Sequence, residues 1–343
     1  MSDAKMRAVR RRQNSIHLDD LAVPEPGVVD VVVEVGACSL SDADVTIRQP
    51  KGQRKPPILG REAAGTIVEV GPEVADWRPG DRVAITPLRP CGLCRYCAAG
   101  RDNLCVDNMQ AGVTLDGALA SHVRVAPTAL VPVPTGVSLE QAALLTDTVA
   151  APYHALKRAG VHEGGSTVVV GLGGLGMHAV QIARLAGASV IGIDPDPLAR
   201  EQALDLGAEE VFDVAGALEA VRAATDYGAD RVLEFASTPQ AADLAVACLA
   251  PGGRAVLGGF TRVNVERTLS HQALAQLTLT EGEVVGTFGA TLQDLGELFD
   301  LVDDGRLDLS HSVGATIDLD QAAQLLSDRA VPSGPRSVVT TFA

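Results

Sequence analysis

The chain has 343 residues, 46% hydrophobic and 21% charged, which is length for about two domains and enough apolar material for a sizeable core. Aromatics make up only 3%, so that core has to be built from Ala, Val and Leu. Lys and Arg number 28 against 43 Asp and Glu, and the resulting charge of −15 excludes a nucleic-acid partner, which needs a basic stripe.

The run Arg10-Arg11-Arg12 is expected on a first strand, as a solvated edge. No stretch reaches 18 apolar residues without a charge, so no bilayer span and no membrane partner are expected. The N-terminal MSDAKMRAVRRRQNS has no apolar h-region, and six cysteines in a chain of this kind do not read as a disulfide framework. A cytoplasmic protein is the expectation.

In chain order, Val28–Gly36, Gly65–Gly71 and Asp81–Ile85 are short β-branched runs separated by Pro and Gly, so the first lobe reads as β-rich. At Ser138 the texture changes. Ser138 with Gln141 forms a capping box before a run of helical spacing that reaches Gly160. From Ser166 strands and helices alternate: STVVVG, a helix to about Gly187, SVIGID, a helix over PDPLAREQALDLG, then RVLEFA, a helix through Ala247, GRAVLGGF and EVVGTFG. Continuous apolar strands each followed by a helix predict a parallel sheet covered on both faces, an α/β doubly wound lobe. Two amphipathic stretches and a last strand, Ser337 to Thr341, end the chain.

The strand STVVVG runs into Gly171-Leu172-Gly173-Gly174-Leu175-Gly176 and then into a helix. In that context Gly171 allows a tight turn, Gly173 lets backbone approach a pyrophosphate, and Gly176 lets helix pack on strand. The pyrophosphate would sit on the helix N-terminus. Eighteen residues beyond Gly176 stands Asp194, at the end of the next strand. A carboxylate there accepts from ribose hydroxyls and repels a 2′-phosphate, which predicts NAD(H) over NADP(H). The competing assignment makes Asp194 a helix N-cap before Pro195.

Cys91, Cys94, Cys97 and Cys105 follow the pattern C-x2-C-x2-C-x7-C. Four thiolates at such spacing predict one structural zinc per chain, because no coordination position is left open for chemistry. An iron–sulfur cluster is the rival, but the fourth cysteine is too distant for a ferredoxin-type run and no proline follows it.

These two motifs in this order resemble the zinc-containing alcohol dehydrogenase branch of the medium-chain dehydrogenase/reductase superfamily, and LGREAAGTIVEVGPEV followed by WRPGDRVAI strengthens the likeness. The resemblance implies a GroES-like catalytic domain over residues 1–150 with a zinc lobe at about 88–108. It implies a Rossmann domain over 151–290 and a segment 291–343 returning to the catalytic domain. It further implies hydride transfer to or from nicotinamide, a pocket for that ring at Gly258, Gly259 and Phe260, a small-molecule substrate, and a homodimer or homotetramer.

The likeness fails at the second, catalytic zinc of that branch. Anchoring on Ser41-Asp42 puts Ser39 in the first ligand position and Asp44 where a relay histidine usually stands. The second segment, G-H-E in the family, is Gly60-Arg61-Glu62, and the third position falls on Asp147. A guanidinium has no free lone pair and cannot ligate a metal. The catalytic zinc is therefore expected to be lost, with Arg61 as replacement cation or as the partner of Asp147 in a bridge filling the vacated site. Ser39, Ser41 and Asp44 are then candidates for a proton relay, Glu62 flanks Arg61, and Cys38 and Cys248 read as buried small hydrophobes. Reduction of an activated C=C, C=N or C=O bond suits such a site. Two alternatives stay open: a conventional zinc alcohol or polyol dehydrogenase using Cys38, Glu62 and Asp147, and a non-catalytic NAD(H)-binding protein.

Overall fold

The structure, a computed structural model, describes residues 4–12, 15–41, 43–46, 57–259 and 268–342. The chain divides into two compact units, Met1–Asp147 with Ala290–Ala343, and Thr148–Gly289.

In the first unit β1 (Lys5–Arg12) and β2 (Ser15–Ala22) pair antiparallel from Lys5↔Ala22 to Arg12↔Ser15. The three arginines lie on β1 as expected, but only Arg12 is solvated as an edge residue: Arg10 and Arg11 are half-buried, and Arg10 and Arg12 both pair with Asp19 of β2. Next come β3 (Val31–Ser39), a one-turn helix α1 (Ala43–Thr46), β4 (Glu62–Val70), β5 (Arg82–Ile85) and the short β6 (Leu88–Arg89). After α2 (Arg95–Ala98), β6 finds its partner in β7 (Met109–Gln110); β8 (His122–Val125) and β9 (Leu130–Pro132) follow.

The sequence sets the first long strand at Val28–Gly36, whereas β3 begins at Val31 and continues through Cys38 and Ser39. Val28 and Val29 are exposed in a turn, with the Val28 carbonyl accepting from the Glu73 N–H. At the other end, Cys38 and Ser39 are held in the sheet by the last strand of the chain and by β4, in the registers Val339↔Cys38 and Ser39↔Glu62. That extension places Ser39 and Glu62 side by side.

The capping box forms: Ser138 and Gln141 exchange side-chain-to-backbone bonds of 3.2 Å each, opening α3 (Leu139–Leu144). The single helix expected to follow is interrupted. Leu145–Val149 winds as one π-helical turn before α4 (Ala150–Ala159) resumes and ends on left-handed Gly160. Such wide turns recur at functional sites, and this one carries Asp147.

The second unit is a six-stranded parallel sheet. Its strands are β10 (Ser166–Val170), β11 (Ser189–Ile193), β12 (Glu210–Phe212), β13 (Ala229–Glu234), β14 (Leu249–Leu257) and β15 (Glu283–Gly286), in the spatial order β12-β11-β10-β13-β14-β15. This is the doubly wound order, with its direction reversing between β10 and β13, where ligands bind at the strand ends. Helix α5 (Gly174–Leu185) follows β10 and α6 (Pro197–Asp205) follows β11. Val168, Val170, Ile191, Ile193 and Val232 meet Ala217, Val221 and Ala245 from the helices, a core of small aliphatics. Among the described residues Phe299 is the one aromatic in the buried core, in line with the composition.

Two further strands, β16 (Val313–Asp318) and β17 (Arg336–Thr341), return to the first unit and complete its seven-stranded sheet, β16-β17-β3-β4-β5-β9, with β8 also paired to β3. No helix of the described residues is long and apolar enough to cross a membrane.

Candidate active site, cofactor loop and thiol cluster

The four cysteines of the lobe converge, with all Sγ atoms within 4.8 Å of one another. Cys94 Sγ lies 3.6 Å from Cys97 Sγ and 3.9 Å from Cys105 Sγ. A tetrahedral zinc with Zn–S bonds of about 2.3 Å needs sulfurs about 3.8 Å apart, so the donor set and its spacing both fit the ion. Two of the thiols are also prepared to ionise, while burial pushes the Cys97 thiol up to about 12. Backbone N–H groups, first that of Cys97, pull the Cys94 thiol down to about 6, and the N–H of Leu93 leads in lowering Cys91. Thiolate is the ligating form.

In the second unit Gly171 closes β10 with φ +91°, and its N–H donates to the Ile193 carbonyl at 2.8 Å. A Cβ on Gly176 would lie 1.8 Å from the Gly171 carbonyl oxygen, so only glycine lets α5 approach the loop. Gly173 is the extended N-cap of α5, and Gly174, Leu175 and Gly176 form its first turn. The loop thus offers N–H groups at a helix N-terminus, which fits a pyrophosphate. Asp194, just past β11, accepts from the Leu172 N–H at 2.8 Å through Oδ2 and from the Asp196 N–H at 2.9 Å through Oδ1. The N-cap of α6 is Asp196 rather than Asp194. Each Asp194 oxygen keeps a lone pair for a ribose hydroxyl. Gly258 and Gly259 donate to the Glu234 carbonyl at 2.9 and 2.8 Å, folding the turn back on β13. Phe260, expected beside them, lies outside the described residues.

The catalytic candidates come together in the first unit around the ends of β3 and β4. Ser39 and Glu62 are register partners, and both are buried. Asp44 on α1 is buried too, and it ties three segments together. Its Oδ2 accepts from the Ser41 N–H at 3.1 Å and lies 3.5 Å from Ser41 Oγ, while Oδ1 accepts from the Gly60 N–H at 3.1 Å. Arg11 donates to the Asp44 backbone carbonyl, so one member of the arginine run is spent on holding α1. Burial pushes the Asp44 carboxyl above the usual range, opposed by the Ser41 and Gly60 N–H groups and by the charges of Arg61 and Arg11.

Arg61 is 7% exposed. Its Nη2 lies 3.8 Å from Asp147 Oδ2, its Nη1 donates to Gln110 Oε1 at 3.4 Å, and its buried Nε has no partner among the described residues. The Oγ of Ser39 is likewise buried and unpartnered among the described residues. Cys38 is fully buried, and burial, followed by the charges of Asp44 and Glu62, holds its thiol well up. Cys248 is equally buried, its thiol pushed up to about 12 by the same cause. Among the described residues the four lobe thiols are the one group of three or more Cys, His, Asp or Glu that converges as a metal site. Gln110 and Arg11 enter the site without a motif to mark them.

Comparison with known proteins follows this layout. Residues 27–135 match the alcohol dehydrogenase GroES-like domain, and residues 174–304 match the zinc-binding dehydrogenase domain. The NAD-dependent alcohol dehydrogenase of Saccharolobus solfataricus is 30% identical over 340 residues, covering 94% of this chain and 96% of the relative. The acryloyl-coenzyme A reductase of Metallosphaera sedula is 29% identical over 329 residues, with the same coverage. A zinc-binding dehydrogenase of Sinorhizobium meliloti, solved bound to NADP, superposes with a TM-score of 0.88 at 27% identity, covering 98% of this chain and all of that one. A glycine loop fit for a dinucleotide, a thiol cluster fit for zinc and likeness over nearly the whole length lead to one assignment: the chain belongs to the medium-chain dehydrogenase/reductase superfamily, in its zinc-containing alcohol dehydrogenase-like branch, and is an oxidoreductase.

Proposed function

We propose that this protein is an NAD(H)-dependent oxidoreductase that reduces or oxidises a small polar substrate without a catalytic zinc, acting on an activated C=C, C=N or C=O bond. The observation that carries this reading is Arg61, a buried guanidinium 3.8 Å from Asp147 at the position where the family places a zinc ligand. The nicotinamide, when bound, supplies or accepts the hydride. Arg61 faces the negative charge that grows on the substrate during transfer, a task a metal performs in zinc-dependent relatives. Asp147 and Gln110 keep that guanidinium oriented, and Asp147 compensates it, since an unpaired buried charge is costly. Asp44 holds a proton above the ordinary carboxylate range, and Ser41, with Ser39 nearby, passes it to or from the substrate.

Asp194 supports NAD(H) over NADP(H), because its carboxylate would face the extra phosphate with like charge. The reading includes a cytoplasmic homodimer or homotetramer without nucleic-acid or membrane partners. The reductase named among the relatives supports C=C reduction as one of the three chemistries. Inductively coupled plasma mass spectrometry tests the metal, with about one zinc per chain expected. NADH oxidation across a panel of activated C=C, C=N and C=O acceptors, after a mild chelator, should show turnover. Two tightly held zincs per chain sink the zinc-free reading, and stoichiometric NADH binding with no turnover on any acceptor would make the chain a binding protein.

A further inference from the structure

Glu234, the last residue of β13, is fully buried, and among the described residues it is the one buried acid of the second unit. A buried carboxyl group is retained where it is hydrogen-bonded. Its Oε1 accepts from the Ser237 N–H at 2.7 Å. Ser237 has φ +57°, a left-handed backbone that is uncommon outside glycine and persists where its surroundings hold it. The main-chain carbonyl of Glu234 accepts from both Gly258 and Gly259. One residue thus holds the turn after β13 by its side chain and the turn after β14 by its backbone. The two turns fit closely: a Cβ on Gly259 would lie 2.4 Å from Ser237 Oγ and 3.2 Å from Glu234 Oε1. The first turn also meets the glycine loop, where a Cβ on Gly171 would lie 2.6 Å from the Ala236 nitrogen.

These turns lie at the carboxyl ends of parallel strands, where an open α/β sheet binds its ligand. The site also has a direction. The pyrophosphate fits at Gly173 to Gly176, beyond β10, and the adenosine ribose at Asp194, beyond β11, on one side of the point where the strand order reverses. A dinucleotide bridges that point, which leaves the ends of β13 and β14 to its second nucleotide. We infer that Glu234 is a positioning residue for the nicotinamide half of the cofactor, locking the turns after β13 and β14 into the shape that half requires. It acts through Ser237, Gly258 and Gly259 rather than by touching the cofactor. The inference rests on the reading of the chain as NAD(H)-binding and adds what fixes its nicotinamide side.

The test is isothermal titration of the full zinc-loaded chain with NADH and with ADP-ribose, which lacks the nicotinamide ring. Glu234→Ala leaves the Ser237 N–H without its acceptor and should raise Kd for NADH about tenfold or more, the scale of one lost buried hydrogen bond. Kd for ADP-ribose should stay within about twofold, as sites that share no partners are independent. Glu234→Gln keeps an acceptor oxygen and should hold NADH within about threefold of the unmodified chain. An acid that only stabilises the sheet would weaken both ligands alike, or neither, and either pattern overturns the inference. Should Glu234→Ala not fold, Glu234→Asp decides, because its carboxyl is one methylene too short for the Ser237 N–H. NADH affinity undiminished there, or lost in step with that for ADP-ribose, overturns the inference instead. Failure of the unmodified chain to bind NADH would sink the NAD(H) reading and this inference with it, whereas parallel losses in the variants leave that reading standing.

Discussion

Arg61 Nη2 and Asp147 Oδ2 stand 3.8 Å apart, joining a side chain 8% exposed on the approach to β4 to one 21% exposed in the π-helical turn after α3. The separation is at the loose end of an ion pair, and among the described residues Arg61 Nη1 bonds one neutral amide, at 3.4 Å. A guanidinium built solely to fill a vacated metal site would close on its carboxylate and satisfy its Nε. Among the described residues this one keeps a donor, Nε, in reserve.

That distinction is measurable. Arg61→Ala should lower kcat by about 10²-fold or more, the scale for removing one preorganised donor from developing oxyanion charge. The double variant with Asp147→Ala should restore Tm, because no buried charge is left unpaired, yet leave kcat low. Recovery of kcat together with Tm would reduce Arg61 to a structural ion.

The thiol lobe gives a second test. Cys94 lies 3.6 Å from one partner sulfur and 3.9 Å from another, the spacing of ligands that share one ion. Cys94→Ser leaves three thiolates and a hydroxyl, a far weaker set for zinc. The variant should purify with well under one zinc per chain and melt several degrees lower, since metal binding and local folding are coupled. Unchanged zinc content and Tm would contradict the assignment.

How legible these features are in the sequence depends on how local they are. The thiol cluster and the glycine loop depend on residues within about fifteen positions of one another, so spacing alone predicts which atoms meet. The bond from Arg61 to Gln110 spans 49 residues and follows from the β6–β7 pairing, two strands of two residues each that no periodicity reveals. The π turn at Asp147 is hidden for a different reason. Leu145–Val149 continues the apolar spacing of a helix, and the wide turn is a matter of backbone pairing rather than side-chain type. The extent of β3 escapes a local reading because Val28 and Val29 carry strand propensity but form a turn, while Cys38 and Ser39 are kept extended by distant strands.

Asp194 gives a cofactor prediction with a complication that the structure adds. Its carboxylate also pins the Leu172 and Asp196 N–H groups, so Asp194→Ser should raise KM for both dinucleotides. The informative quantity is the ratio of kcat/KM for NADPH to that for NADH. It should be below one in the unmodified protein and rise by about tenfold or more in the variant, equivalent to about 1.4 kcal/mol. A ratio above one before mutation would remove Asp194 as the determinant.

Asp44 makes a prediction about pH. Burial raises its carboxyl, against the N–H groups of Ser41 and Gly60 and the charges of Arg61 and Arg11. A raised acid holds its proton in the folded chain while the unfolded chain has already released it, so the folded state binds more protons and stability falls as pH rises. The window opens near the unfolded value of about 3.9 and closes above the folded one, so the loss sets in from about pH 4 upward. Asp44→Asn removes this titration but also removes one acceptor from the three donors at Asp44, a cost that does not change with pH. Tm of the variant relative to the unmodified protein should therefore start low at about pH 4 and climb as pH increases, until the native carboxyl is ionised in both states. Activity should follow a separate course. If Asp44 supplies the proton through Ser41, Asp44→Asn should lower kcat at every pH and flatten the acid-to-neutral limb of the kcat profile. A parallel pair of Tm curves would place the proton elsewhere, and an unaltered kcat profile would leave Asp44 as the tie between Ser41 and Gly60 and nothing more.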